Sequence, residues 1–77
     1  MNVERLISMA NDIANYFHAE PDRGVAVEGV SGHLKKFWEP RMRKQIIAYA
    51  QSNNHEELSE LAREGVLHLA RLDSANA

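Results

Sequence analysis

Four histidines and five serines are the side chains that could ligate a metal or attack a substrate. A metal site needs converging ligands, and on one helix face these stand three or four residues apart. His18, His33, His55 and His68 are never so spaced, and the chain has no cysteine. Ser8, Ser31, Ser52, Ser59 and Ser74 lie in no Gly-x-Ser-x-Gly elbow. Gly24, Gly29 and Gly32 interrupt an apolar helical pattern and form no phosphate loop. Glu56, Glu57 and Glu60 read as a solvated helix face. No catalytic residue and no metal site is expected, and a chain this short has little room for an enclosed pocket.

The chemistry that stands out is a charge pattern. "HLKKFWEPRMRKQ", residues 33–45, carries five cations between Lys35 and Lys44, around the single Trp of the chain. Arg41, Arg43 and Lys44 follow Pro40, in the first turn of a predicted helix. That end of a helix is its positive pole, where acids are favoured and like charge costs a few tenths of a kcal/mol per residue, up to about 1. A local rule broken without compensation marks a candidate site. The run should therefore face carboxylates, on this chain or another. Phe37 falls on the apolar stripe and is expected in the core. Trp38 carries an N–H that needs a partner if buried, and it is placed with the docking candidates.

Four helices must position these residues. Val3, Leu6, Ile7, Ala10, Ile13, Ala14 and Phe17 recur at steps of three and four, predicting a helix over 3–18 with Asn2 as cap. The Glu20–Pro21 and Glu39–Pro40 steps break the chain. Between them Ala26, Val27, Val30, Leu34, Phe37 and Trp38 predict a helix over 22–38. Its interior glycines each cost about 1 kcal/mol relative to Ala, and close packing inside the domain is the reading adopted. Met42, Ile46, Ile47 and Ala50 predict a helix over 40–52, ended by the turn Ser52–Asn54. Asn54 with Glu57 resembles a capping box for a helix over 55–72. Leu58, Leu61, Ala62, Val66, Leu69 and Leu72 form its inner stripe, and Leu67 falls beside it. The expectation is one all-α domain, a small compact bundle of four short helices over 1–72, with 73–77 as a frayed tail.

Bulk properties set limits. In 77 residues the formal net charge is −2, and 26% of the chain is charged, an ordinary globular balance that argues against nucleic acid. A domain of this size has about 4–12 kcal/mol of net stability. No apolar run approaches the roughly 20 residues that span a bilayer, and Glu4 and Asp12 argue against a leader peptide. A cytoplasmic protein is expected.

"HLKKFWEPRMRKQI" resembles the His-x-x-basic-Phe-Trp-acid-Pro-Arg-Met-Arg segment of the delta subunit of NAD-dependent, molybdenum-containing formate dehydrogenases. "MNVERLISMANDIANYFHAEPDRG" is similar to the start of that family. The resemblance covers residues 1 to about 50, and the fourth helix matches only as an amphipathic helix of the right length. It implies a small, non-catalytic, cytoplasmic partner of a multisubunit enzyme that oxidises formate and reduces NAD. It further implies a large alpha subunit with a bis-guanine-dinucleotide molybdenum cofactor, iron–sulfur clusters and FMN in the holoenzyme, and a delta role in cofactor insertion or maturation. None of these groups is expected on this chain.

Trp38, Glu39, Arg41 and Arg43 are the expected partner-binding residues, with His33 and Lys36 beside them and Pro40 setting the corner. Trp and Arg are over-represented among residues that dominate interfaces. The alternative is a small basic-patch helical module that binds nucleic acid through Lys35, Lys36, Arg41, Arg43 and Lys44. Self-association of the chain stays open.

Overall fold

A computed structural model describes residues 2–75. Four helices follow one another: α1 (Val3–Phe17), α2 (Arg23–Phe37), α3 (Pro40–Gln51) and α4 (Glu60–Ala75). No strand occurs among the described residues. Each helix but the third starts on a side-chain cap, which satisfies amides that have no partner inside the helix. Asn2 accepts from the amide of Glu4 (2.7 Å), and Asp22 from that of Val25 (3.3 Å). Ser59 accepts from that of Ala62 (3.2 Å). The third has no side-chain cap; Glu39 precedes it and Pro40 takes its first position, where a missing N–H costs nothing.

The fourth helix starts later than its sequence predicts. Asn54 and Glu57 form no capping box, because residues 55–58 make a turn of their own, with the Leu58 amide on the His55 carbonyl. The cap is Ser59, whose carbonyl also receives the Arg63 amide. Asn11 of α1 fixes this start. Its amide nitrogen donates to the Glu57 carbonyl and its oxygen accepts from the Ser59 amide, both at 2.8 Å. The Tyr49 hydroxyl accepts from the Glu57 amide (3.3 Å). Leu58 is thereby buried ahead of the helix. At the other end α4 continues through Ala75, past the expected 72; residues 76 and 77 of the expected tail lie outside the described residues.

One core joins all four helices. It is built from Leu6, Ile7, Ala10 and Ala14 of α1, Ala26, Val30 and Leu34 of α2, Ile46 and Ala50 of α3, and Leu61, Ala62, Val66 and Leu69 of α4, with Leu58 and Trp38 from the links. Leu67 is half-buried against this core and widens the α4 stripe. The α2–α4 contact is the closest. A Cβ on Gly65 would collide with the Val30 side chain, so α4 offers bare backbone to a fully buried valine. At its start Arg23 holds Glu64 with two bonds, Nε to Oε2 at 3.0 Å and Nη2 to Oε1 at 3.2 Å. The bond to Glu64 pushes the Arg23 guanidinium above its ordinary range.

The α2 glycines divide by position. Gly29 lies under the Phe17 ring, and a Cβ there would come within 2.5 Å of it. Close packing inside the domain is therefore the role of Gly29. Gly32 has open space around its Cβ position, and at Gly24 the nearest atom is an Asp22 carboxylate oxygen at 3.3 Å.

Candidate partner-docking surface

The α2–α3 corner is two residues long. Trp38 (φ −93°, ψ 141°) and Glu39 (φ −67°, ψ 151°) are extended, and Pro40 resumes the helix. This geometry reverses two expectations. Trp38 is buried, at 6% exposure, and Phe37 is out, at 65%. The line that α2 buries runs Ala26, Val30, Leu34, Trp38, in steps of four. Four residues turn a helix by about 400°, so such a line drifts some 40° per step. At the end of α2 the drift has moved the buried line off Phe37. Trp38 is the residue where the chain leaves the helix, and its extended backbone returns the indole to the core. Trp38 therefore lies in the core, and Phe37, expected there, stands on the surface.

The cations find a partial answer inside the molecule. Arg43 is half-buried, and its Nη1 donates to the Lys35 carbonyl at 2.9 Å. The first turn of α3 thus lies beside the last turn of α2, the negative pole of that helix. Lys35 and Lys36 stand at the same pole. The positive end of one helix and the negative end of the next meet at the corner, and Arg43 bridges them. Its Nε is buried with no partner, the one such side-chain atom among the described residues. Arg63 does the same service elsewhere, donating from Nε to the Ala50 carbonyl at 3.1 Å near the end of α3.

Arg41, Lys44, Lys36 and Glu39 remain exposed. The ion pair found among the described residues is Arg23–Glu64, away from the corner, so no carboxylate of this kind answers Arg41 or Lys44. His33 is half-buried, and its ring lies on that of Phe37 with centroids 4.7 Å apart and planes at 46°. Lys36 Nζ stands 5.7 Å from the centre of the Phe37 ring, within the range of cation–π attraction. The structure therefore gathers His33, Lys36 and Phe37 on the surface at the end of α2.

A groove continues from His33 to α1. It has a volume of 460 Å³ and is lined by Asp12, Ile13, Tyr16, Phe17 and His33. Tyr16 is 79% exposed and meets Phe17 edge to face, with centroids 5.0 Å apart. The sequence reading missed this groove. Tyr16 lies off the apolar stripe of α1, and only the fold shows that it meets a displaced Phe37 through His33. A second groove of 480 Å³ lies between α2 and α4, around the Arg23–Glu64 pair and His68.

No group of three or more His, Cys, Asp or Glu side chains that could hold a metal ion occurs among the described residues. The chain has no cysteine, the usual ligand of an iron–sulfur cluster.

The family model of the NADH-dependant formate dehydrogenase delta subunit FdsD matches residues 5–66. The chain belongs to this family. The match takes in α1, α2, α3 and the first part of α4, beyond the segment around the basic run that carries the resemblance in sequence. The corner, the groove and every expected partner-binding residue of this delta-subunit chain lie inside it. Neither the curated proteins nor the solved structures gave a match. No helix of the described residues is long and apolar enough to cross a membrane.

Proposed function

We propose that this chain is a non-catalytic, cytoplasmic accessory subunit that docks on the large alpha subunit of a molybdenum formate dehydrogenase. There it supports insertion or maturation of the molybdenum cofactor. The cofactor, the iron–sulfur clusters and FMN are carried by other subunits of the holoenzyme. Membership of the delta-subunit family supports the complex. The observation that carries docking is the exposed first turn of α3. After Arg43 has been used inside the domain, Arg41 and Lys44 stand in solvent near a positive helix pole, and among the described residues neither forms an ion pair, with Glu39 the one acid at this helix start. Such charges are neutralised when carboxylates of a partner arrive. Rim charges act mainly on the rate and specificity of association.

The test uses the tagged alpha subunit, produced with this chain or with its Arg41→Glu, Lys44→Glu double variant. The variant should unfold at the same temperature as the parent or slightly above it, since acids suit a helix N-terminus. It should be retained by alpha at least tenfold less. The molybdenum content of alpha should fall when this chain is omitted. Full loading without the chain would refute the maturation role, and undiminished retention of the variant would refute docking through the corner.

A further inference from the structure

Two aromatic rings are exposed outside the basic corner. Tyr16 and Phe37 are 79% and 65% exposed, while fifteen apolar residues are buried in the core among the described residues. They are not isolated. His33 touches the Phe37 ring and also lines the groove that holds Tyr16, Phe17 and Ile13. The result is one continuous strip across α1 and α2. Phe17 packs on Gly29, where a Cβ would collide with its ring. Contiguous exposed apolar surface bounded by polar groups marks an interaction site, and aromatic side chains carry much of the energy of interfaces.

The strip carries a surplus of cations. Lys36 stands over the Phe37 ring at one end, and Lys35 is its neighbour in the chain. Arg41 follows Phe37 by four residues, within about 14 Å even for extended chain. The groove wall carries one carboxylate, Asp12, and Glu39 is exposed between Phe37 and Arg41 in the chain, so the cations outnumber the acids. We infer that the groove between α1 and α2 seats a partner segment built from a large apolar anchor with carboxylates on one side of it. The anchor enters between Tyr16, Phe17 and His33, and the carboxylates lie toward Phe37, Lys36 and Arg41. This rests on the docking role proposed above and adds the face, the anchor pocket and the direction of the bound segment.

Charge complementarity selects that occupant over a second copy of the chain. Two copies would bring together the same surplus of cations, Lys35, Lys36, Arg41 and Lys44, against only Asp12 and Glu39 from each. Nucleic acid would meet the cations but also Asp12 and Glu39, on a chain whose formal net charge is −2.

The experiment places the photo-crosslinking residue p-benzoylphenylalanine at position 37, and separately at position 16, in the full chain. The chain is made in cells that produce the formate dehydrogenase complex, and crosslinked peptides are sequenced by mass spectrometry. The expected adduct is a peptide with a bulky apolar residue flanked by Asp or Glu, reached from both positions. The Tyr16→Ala, Phe37→Ala double variant should keep its thermal unfolding temperature and lose at least tenfold in retention by that partner. An adduct of this composition on a subunit other than alpha supports the groove and removes alpha as the docking partner. Adducts confined to a second copy, adducts to nucleic acid, peptides without carboxylates, or no adduct at either position would each overturn the inference. So would a double variant that is retained as well as the parent.

Discussion

Replacing Trp38 by alanine removes the largest side chain of the core, and replacing Phe37, its neighbour, removes a ring that stands in water. The two substitutions should separate sharply. Trp38 is 6% exposed. An aromatic side chain buries roughly 150–250 Å², which at about 25 cal/mol per Å² is a gross term of ~4–6 kcal/mol. Alanine recovers part of it, the cavity left behind adds to the loss, and Trp→Ala changes in cores cost about 3–5 kcal/mol. Against a total of about 4–12 kcal/mol for a domain of this size, that is a large share. Phe37→Ala belongs with surface changes, within about 0.5 kcal/mol. Urea unfolding followed by far-ultraviolet circular dichroism measures both, and serves the variant that has lost the only tryptophan. At about 4–8 °C per kcal/mol for a small domain, Trp38→Ala should lower Tm by more than 10 °C. If Phe37→Ala costs more than Trp38→Ala, the corner is turned the other way, and the surface strip built on Phe37 falls with it.

Four further substitutions test the packing and the Asn11 bonds to the start of α4. Gly65→Ala should destabilise the domain by about 1–3 kcal/mol, because Val30 is fully buried and cannot yield, although Ala favours a helix. Gly32→Ala meets nothing and should stabilise by about 0.4–1 kcal/mol, so thermal melts of the pair should move in opposite directions. Asn11→Ala removes both bonds to the α3–α4 link and should cost about 1–3 kcal/mol by denaturant titration. Asn11→Asp should lose most of the same amount, since a carboxylate cannot donate to the Glu57 carbonyl.

The helices were legible because each buries a periodic stripe and the prolines mark the breaks. Local pattern failed where two answers were locally equal. Asn54 and Ser59 are comparable caps, and the choice of Ser59 is made by Asn11, far away in the chain. Phe37 and Trp38 are adjacent apolar rings, and the choice between them is made by the drift of the buried line and the extended backbone at Trp38. The excess of cation at the start of α3 was legible as a broken rule. Its partial resolution through the Lys35 carbonyl was not, because it depends on how two helix ends are placed. The aromatic groove is a property of two helices side by side, and neither stripe contains it.

The interlock of Gly65 with Val30 bears on how the domain is born. Taken alone, α2 is a poor helix, fifteen residues with three glycines. Helices of about 12–15 residues are marginal in water even with better sequences. Its closest support is α4, the element made last. While a ribosome is still synthesising the link after α3, the growing chain holds α2 against α1 without its α4 partner. Native structure then waits until α4 has emerged. Over that interval Val30 lacks the Gly65 backbone on which it packs in the finished domain.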